Sequence, residues 1–153
     1  MIYQGLVELM REKSFGSITV TDLVTRAKVG RTTFYRHFNV VEDVLRMHCE
    51  EVVQGLTEYL QAYQRDQQGE SVTRVLKPVL RYFYLHSEVI ELLMRARRIH
   101  ILEDSLYRHF LQYQVVFRTY FRVAEDYLPY IMLARIGSLT RILEHWIATG
   151  KQQ

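Results

Sequence analysis

Apolar residues recur at helical spacing along almost the whole chain, and this pattern constrains the fold more than any other feature. Two prolines and seven glycines occur among the 153 residues, and little of the chain alternates as a half-buried strand would. The pattern therefore predicts an all-α protein of about eight helices. The predicted helices span roughly residues 2–13, 20–27, 31–37, 41–64, 71–85, 87–97, 102–124 and 129–149.

Composition narrows the class of protein further. Apolar residues make up 48% of the chain, enough to build a core, and the net charge is +3. The single cysteine, Cys49, has no partner for a disulfide in this sequence, which favours a reducing compartment. Charged residues interrupt every apolar stretch, and the first residues lack a signal-peptide pattern. We therefore expect a soluble, cytoplasmic protein that does not enter a membrane.

Residues 19–38, TVTDLVTRAKVGRTTFYRHF, combine a helix start, a tight turn and a second helix. Thr19 followed by Asp22 resembles a capping box, Lys28–Gly30 supplies the turn, and Arg31–His37 begins with basic and short polar side chains. A helix-turn-helix needs a helix braced on the DNA backbone, a tight turn, and a helix whose first side chains enter the major groove. The segment therefore predicts this motif, although a helical hairpin of chance composition has the same outline.

The positive charge of the chain is concentrated in the same segment. Residues 16–40 contain one acidic residue and four basic ones: Asp22 against Arg26, Lys28, Arg31 and Arg36. This segment therefore carries the same net charge as the whole chain, +3. The excess lies where an anionic duplex would bind.

Five side chains of the second helix are candidates for DNA contacts. Arg31 is long enough to donate two hydrogen bonds to guanine O6 and N7. Thr32 and Thr33 can contact phosphates, base edges or a thymine methyl group, and Tyr35 and His37 suit phosphate oxygens. The alternatives are a solvated surface position for Arg31, and a packing or capping role for Tyr35 and His37.

The run ITVTDLVTRAKVGRTTFYRHFNVVEDVL, residues 18–45, resembles the DNA-binding domain of the tetracycline-repressor (TetR/AcrR) family. The resemblance implies that Thr19 and Thr21 contact phosphates at the start of the bracing helix. It also implies a three-helix DNA-binding domain at 1–48, running into a connecting helix to about residue 64. A C-terminal helical bundle at 49–153 would then sense a ligand and dimerise.

Three positions depart from the pattern of that family. Lys28 stands where glycine is usual, so this lysine has to adopt a left-handed backbone. Gly30 replaces the usual polar cap of the recognition helix and is a weaker cap. Val41 replaces a frequent lysine, which removes one phosphate contact. We expect these departures to affect DNA affinity more than the fold.

The last predicted helix is apolar on two faces, so it needs two partners. One face fits the core of the chain itself. The other fits the same helix of a second copy, because two-fold dimers pair identical patches. We therefore expect a homodimer formed by the last two long helices, with a buried helix of a monomer as the alternative. The candidate interface residues are Tyr130, Ala134, Gly137, Arg141 and Ala148.

Aromatic residues in the C-terminal part could line a pocket for an unknown small-molecule effector. For each of them, a place in the ordinary core is the simpler explanation. A basic cluster at Arg95, Arg97, Arg98 and His100 could bind an anionic effector, although a solvated loop is simpler there too. The candidate pocket residues are Tyr82, Phe83, Tyr113, Phe117 and Tyr120.

The sequence contains no nucleotide-binding loop, no paired metal ligands and no nucleophile–base arrangement, so we expect no enzyme activity, no metal and no cofactor. The sequence predicts a dimeric helix-turn-helix regulator that binds a palindromic DNA operator in two successive major grooves. We expect it to be a repressor that an effector releases. The alternative is a regulator of the same family that acts through protein interactions, with weak or no direct DNA binding. Gly30 and Val41 favour that alternative, because they weaken the cap of the recognition helix and remove a phosphate contact.

Overall fold

The computed structural model describes residues 1–65, 72–112 and 124–150. This part of the chain contains eight α-helices and no strand, which confirms the predicted all-α fold. Short 3-10 turns lie at Phe15–Ser17 and Glu125–Tyr127. The helices are α1 (Ile2–Glu12), α2 (Val20–Ala27), α3 (Arg31–His37), α4 (Val41–Arg65), α5 (Val72–Leu85), α6 (Ser87–Ala96), α7 (His100–Leu111) and α8 (Leu128–Ala148).

The helix boundaries agree closely with the sequence pattern in the first 45 residues and at the last helix. Helix α8 carries Pro129 in its first turn, where a missing N–H group costs nothing. Gly150 follows its end with a φ of +76°, as expected of a glycine just past a helix.

The predicted helix at 102–124 begins earlier, at His100, and ends at Leu111 with Gln112 as its C-cap. Ala124, at the other end of the predicted range, is extended and precedes a 3-10 turn, so the predicted helix end there is wrong; residues 113–123 lie outside the described residues.

The N-terminal helices α1–α3 pack around a small apolar core. Helix α1 buries Leu6 and Leu9, and α2 buries Leu23. The two helices cross closely at Gly5, because a Cβ atom there would lie 3.3 Å from the Cβ of Ala27. Helix α3 contributes Phe34, which is fully buried. Burial of an aromatic side chain of this size is worth about 1.5–3 kcal/mol, so Phe34 is a main contributor to the position of α3.

Helix α4 connects the N-terminal helices to the C-terminal helices α5–α8 without a break at the predicted domain boundary. Its buried face packs on α1 at one end and on α5, α6 and α7 along the rest. Helix α8 packs on α6 and α7. One continuous apolar cluster therefore runs from the N-terminal helices into the C-terminal ones. Its C-terminal part includes Leu56, Phe83, Ile90, Leu93, Leu102, Leu106, Ile136 and Leu143.

Tyr82 and Phe83, two of the predicted pocket residues, are buried in this core. The Tyr82 hydroxyl donates a hydrogen bond of 2.8 Å to the Val52 carbonyl oxygen, and its ring centroid lies 4.3 Å from that of His86. Phe83 is fully buried. The other three predicted pocket residues, Tyr113, Phe117 and Tyr120, lie outside the described residues.

The last turn of α6 and the segment between α6 and α7 contact the N-terminal helices directly. Arg95 donates a hydrogen bond of 2.8 Å from Nη2 to the carbonyl oxygen of Met10, near the end of α1. Arg98 donates one of 2.7 Å from Nε to Glu42 in the first turn of α4, and its guanidinium lies over the Phe15 ring. Arg95 and Arg98 are partly solvated, as expected for this basic cluster, but they also join the two halves of the chain, which the sequence does not predict.

Across the described ranges, no helix combines the length and the apolar character needed to cross a membrane.

Candidate nucleic-acid interface

A capping box fixes the start of α2, as the sequence predicts. The backbone N–H of Asp22 donates to Thr19 Oγ1 at 3.1 Å, and the backbone N–H of Thr19 donates to Asp22 Oδ2 at 2.8 Å. The Thr19 hydroxyl also donates to Asp22 at 2.7 Å. The proton that Thr19 would need for a phosphate contact is therefore already used within the box.

Lys13 completes this arrangement from the end of α1. Its ammonium group donates to Asp22 Oδ2 at 2.7 Å. Hydrogen bonds from Lys13, and then from the backbone and hydroxyl of Thr19, hold the pKa of the Asp22 carboxyl well below its usual range. Asp22 therefore stays ionised at neutral pH, and its charge is compensated locally by Lys13.

The turn between α2 and α3 depends on a left-handed residue. Lys28 has φ 54° and ψ 42°, which confirms the conformation expected where the family pattern has glycine. The backbone N–H of Val29 then donates to the Val24 carbonyl at 3.0 Å and closes the end of α2. Gly30 follows as the N-cap of α3 with no side-chain hydrogen bond. The geometry of the turn is thus achieved at a cost of about 1–2 kcal/mol in backbone strain at Lys28.

Helix α3 buries one side chain of its seven and exposes the others. Phe34 faces the core, and Phe38, just past the helix, packs against it with ring centroids 5.4 Å apart. All five candidate DNA-contacting side chains of this helix are exposed, including Tyr35 at 56%. We call the surface formed by Lys28, Arg31, Thr32, Thr33, Tyr35, Arg36 and His37 the recognition face.

Arg31 and Thr21 are joined across the two helices of the motif. Arg31 Nη2 donates a hydrogen bond of 2.7 Å to Thr21 Oγ1, and both residues are exposed. The sequence predicted a DNA contact for each residue separately and missed their mutual contact. No spacing rule along the chain signals a hydrogen bond between residues ten positions apart on different helices.

The basic residues of this segment fall into two groups, which corrects the sequence-based charge argument. Arg26 contacts two carboxylates of α1, Glu12 at 2.8 Å and Glu8 at 3.6 Å. Its charge is therefore already compensated by carboxylates of α1. In the part of the chain that the structure describes, Lys28, Arg31 and Arg36 have no carboxylate partner.

The start of α4 is held by its own acidic residues. Asp43 accepts hydrogen bonds from the backbone N–H groups of Asn39 at 2.7 Å and Val40 at 3.1 Å. Glu42 accepts from Arg98 at 2.7 Å and from Arg46 at 2.6 Å, and these bonds, that of Arg98 above all, lower the pKa of the Glu42 carboxyl.

Val41 occupies the place where the family pattern frequently has a lysine, and another valine, Val40, precedes it. Val40 is 52% exposed, and Val41 is half-buried. Together with Phe15, Ile18 and Val20 they line a shallow, open hollow. Neither valine offers a cation to a phosphate, and the nearby guanidinium of Arg98, which lies over the Phe15 ring, is already paired with Glu42.

The described residues contain no group of three or more His, Cys, Asp or Glu side chains arranged to hold a metal ion. Cys49 is fully buried, and burial raises the pKa of its thiol to about 12. The thiol is therefore not a nucleophile at neutral pH.

Comparison with known proteins places the same segment in a family. Residues 2–45 match the family model described as bacterial regulatory proteins, tetR family. The match covers α1, α2, α3 and the first turn of α4, which are the elements that build and support the recognition face. No curated protein and no solved structure matches the chain significantly.

Proposed function

The chain belongs to the tetR family of bacterial regulatory proteins through residues 2–45, and from that premise we propose that it is a homodimeric transcriptional repressor released by a small-molecule effector. It is a DNA-binding regulator of the helix-turn-helix class; repression, the dimer and the effector are the proposal. The observation that carries the proposal is the recognition face, where three cations without carboxylate partners surround exposed hydroxyl groups. A regulator that binds chromosomal DNA works in the cytoplasm.

The recognition face supports a division of labour among its residues. Arg31, at the first position of α3, can donate two hydrogen bonds to a guanine. Thr32 and Thr33 follow it and are exposed, so they can meet neighbouring base edges or the backbone. Tyr35 and His37 lie farther along the helix, where phosphate contacts fix its position in the groove. Lys28 and Arg36 add charge that attracts any duplex.

The outer face of α8 supports the proposed dimer. The predicted interface residues Tyr130, Ala134, Gly137, Arg141 and Ala148 are all exposed, Tyr130 at 70%. Two further apolar side chains on this helix, Leu133 and Ile142, are also exposed, at 55% and 46%. Exposed apolar residues along one helix are costly unless another surface covers them. A second copy of α8 is the self-complementary partner that two-fold symmetry offers.

Gly137 gives a direct test of this dimer. A Cβ atom at Gly137 would meet nothing within 4 Å in one chain. Gly137→Trp is therefore expected to leave the fold intact and to separate the dimer in sedimentation velocity, whereas Lys77→Trp, at an exposed position of α5, should not. A wild-type chain that sediments as a monomer would exclude this part of the proposal.

The α6–α7 junction supports a route from an effector site to the recognition face. Arg95 and Arg98 attach the segment between these helices to the end of α1 and the start of α4. An effector bound among the C-terminal helices that shifts this segment would also shift the N-terminal helices, and with them the separation of two recognition helices in a dimer. Tyr82 and Phe83, with Tyr113, Phe117 and Tyr120, remain the proposed pocket residues.

A second candidate function rests on the valines at the start of α4. Val40 and Val41 line a mainly apolar hollow, with Glu42 at its border, beside the place where a phosphate contact is frequent in the family. An apolar surface of this kind suits a protein partner better than a phosphate. The alternative is thus a regulator that docks a protein and binds DNA weakly or not at all.

Binding of duplex DNA at several salt concentrations separates the two functions. The repressor should select related, palindromic sequences from a random duplex library, and its affinity should fall steeply as salt increases. Arg31→Ala should remove the preference at one base pair in each half-site, at a cost of about 1–3 kcal/mol. Arg81→Ala, at an exposed arginine of α5, serves as the matched control and should change neither quantity. Binding with no preference over random DNA at low salt would exclude the repressor.

A further inference from the structure

The hydrogen bond between Thr21 and Arg31 is the contact of the recognition face that the function above does not use. It joins the second residue of α2 to the first residue of α3, with Arg31 Nη2 and Thr21 Oγ1 2.7 Å apart. Both side chains are exposed, so burial is not what brings them into contact. The contact lies at the N-terminal end of α3, the end that enters a major groove.

Thr21 is a well-supported acceptor. It lies within the first turn of α2, whose start is fixed by the reciprocal hydrogen bonds of Thr19 and Asp22 and by the ion pair of Asp22 with Lys13. Arg31, in contrast, is a long side chain with high rotational freedom. A free arginine of this kind loses conformational entropy when it binds a base, and a hydrogen bond already present in the free protein reduces that loss.

The hydrogen-bonding capacities of the two groups allow a base and a phosphate to bind at the same time. A guanidinium has five N–H donors, so one bond to Thr21 leaves enough donors for a bidentate contact with guanine. A hydroxyl has two acceptor lone pairs and one donor, so Thr21 can accept from Arg31 and still donate to a phosphate oxygen. Each of these bonds polarises the next and strengthens it.

We propose that Thr21 is a positioning residue for DNA specificity: it holds the Arg31 guanidinium in the orientation that recognises a guanine, and it couples that orientation to a phosphate contact. This inference rests on the proposed function, since it requires that Arg31 recognises a base pair. It goes beyond the phosphate contact that the family resemblance implies for Thr21. It assigns to a residue of the bracing helix a part in base specificity.

The test uses the full-length protein and random duplex DNA. Sites selected by the wild type first identify the base pair whose preference is lost in Arg31→Ala. Thr21→Val then removes both hydrogen-bonding functions and keeps the shape of the side chain, whereas Thr21→Ser keeps both functions. Thr25→Val, at an exposed threonine one turn farther along α2, is the matched control. Thermal unfolding of each variant verifies that the fold is unchanged.

We expect Thr21→Val to reduce the guanine preference roughly tenfold at the base pair that depends on Arg31. Thr21→Ser should stay within about twofold of the wild type, as should Thr25→Val. The double variant of Thr21→Val with Arg31→Ala should be no worse in base preference than Arg31→Ala alone, because both changes remove one coupled contact.

Two results would overturn the inference, and they are distinguishable from each other. If Thr21→Val weakens binding to all duplexes by one factor and keeps the guanine preference, Thr21 is a phosphate contact only and the proposed function stands. If the wild type selects no sequence at all, the proposed function and the inference are both wrong.

Discussion

The two sides of the N-terminal helices use their basic residues in opposite ways. On the recognition face, Lys28, Arg31 and Arg36 have no carboxylate partner among the described residues. On the side that faces α1, Arg26 contacts two carboxylates and Lys13 contacts Asp22. The difference indicates that the arrangement of charges, and not their number, distinguishes the proposed DNA-binding surface.

The paired side has a structural role that the recognition face lacks. Ion pairs open to solvent add little stability, but they fix the direction in which helices start and cross. Lys13 and Asp22 fix the start of α2, and Arg98 with Glu42 attaches the C-terminal helices to the start of α4. The cations of the recognition face have no carboxylate partner in the described part of the chain and so remain available to an anion such as a phosphate. The comparison thus separates residues that build the motif from residues that use it.

The largest expected effect is the loss of stability when Phe34, which lies between the recognition face and the core, is truncated. Phe34 is fully buried beneath the recognition face, and its neighbour Tyr35 is 56% exposed. Phe34→Ala is expected to lower the free energy of unfolding by about 3–5 kcal/mol, because it leaves a large cavity between α2 and α3. Tyr35→Ala should leave unfolding almost unchanged and weaken DNA binding. Urea unfolding and duplex binding measure the two effects.

These neighbouring substitutions would contradict the comparison if they behaved alike. Equal losses of stability would mean that Tyr35 packs in the core and does not belong to the recognition face. Unchanged DNA binding in a folded Tyr35→Ala variant would remove Tyr35 from the set of phosphate contacts.

A second pair of substitutions distinguishes the two groups of arginines. Arg36→Ala, on the recognition face, should reduce the dependence of log affinity on log salt by about one unit, with the melting temperature unchanged. Arg26→Ala should leave that slope unchanged and slightly lower the melting temperature, since it removes the contacts with Glu8 and Glu12. If the two variants gave the same slope, the charge of Arg26 would also be available to DNA.

The local structure of the N-terminal helices could be predicted from sequence because its causes are local. The capping box and the left-handed Lys28 each depend on residues a few positions apart, and the burial of Phe34 follows the spacing of apolar residues along the motif. The pairing of the charges could not be predicted, because Arg26 finds its partners on α1 and Arg31 finds its partner on α2. Contacts between helices depend on how the helices cross, and no short spacing in the sequence encodes that.

The same limit explains why the contacts of the basic cluster at the α6–α7 junction could not be predicted. Four basic residues close together at a helix end favour a solvated loop when their surroundings are unknown. Arg98 instead pairs with Glu42, 56 positions earlier in the chain, and Arg95 contacts a backbone carbonyl of α1. The exposed outer face of α8, in contrast, follows a helical period within one element, so the positions of its residues could be predicted.

Among the residues that the structure describes, two that are not glycine have a left-handed backbone: Lys28 at the end of α2 and Arg97 at the end of α6. Lys28→Gly and Arg97→Gly should each stabilise the fold by up to about 1 kcal/mol, because glycine adopts this conformation without strain. Only Lys28→Gly should also weaken binding to random DNA, since it removes a cation from the recognition face. Urea unfolding and low-salt DNA binding test the pair, and a loss of affinity in Arg97→Gly would extend the DNA-binding surface to the α6–α7 junction.

The smallest expected effect is on the stability of the fold in acid, where the paired carboxylates Asp22 and Glu42 become protonated. The pKa values of Asp22 and Glu42 are lowered in the folded protein, by Lys13 and Thr19 in the first case and chiefly by Arg98 in the second. The unfolded chain then binds more protons than the folded one as the pH falls through the ordinary carboxyl range. The stability that these groups contribute is therefore complete above about pH 5 and is lost progressively below it.

Urea unfolding between pH 7 and pH 3 should show a shallower loss of stability in Glu42→Gln and Asp22→Asn than in the wild type, starting from a lower stability at pH 7. Asp104→Asn, at an exposed position of α7, is the control and should follow the wild-type curve. A Glu42→Gln variant with the wild-type pH dependence would show that the contact between Arg98 and Glu42 does not hold the C-terminal helices against the start of α4 in solution.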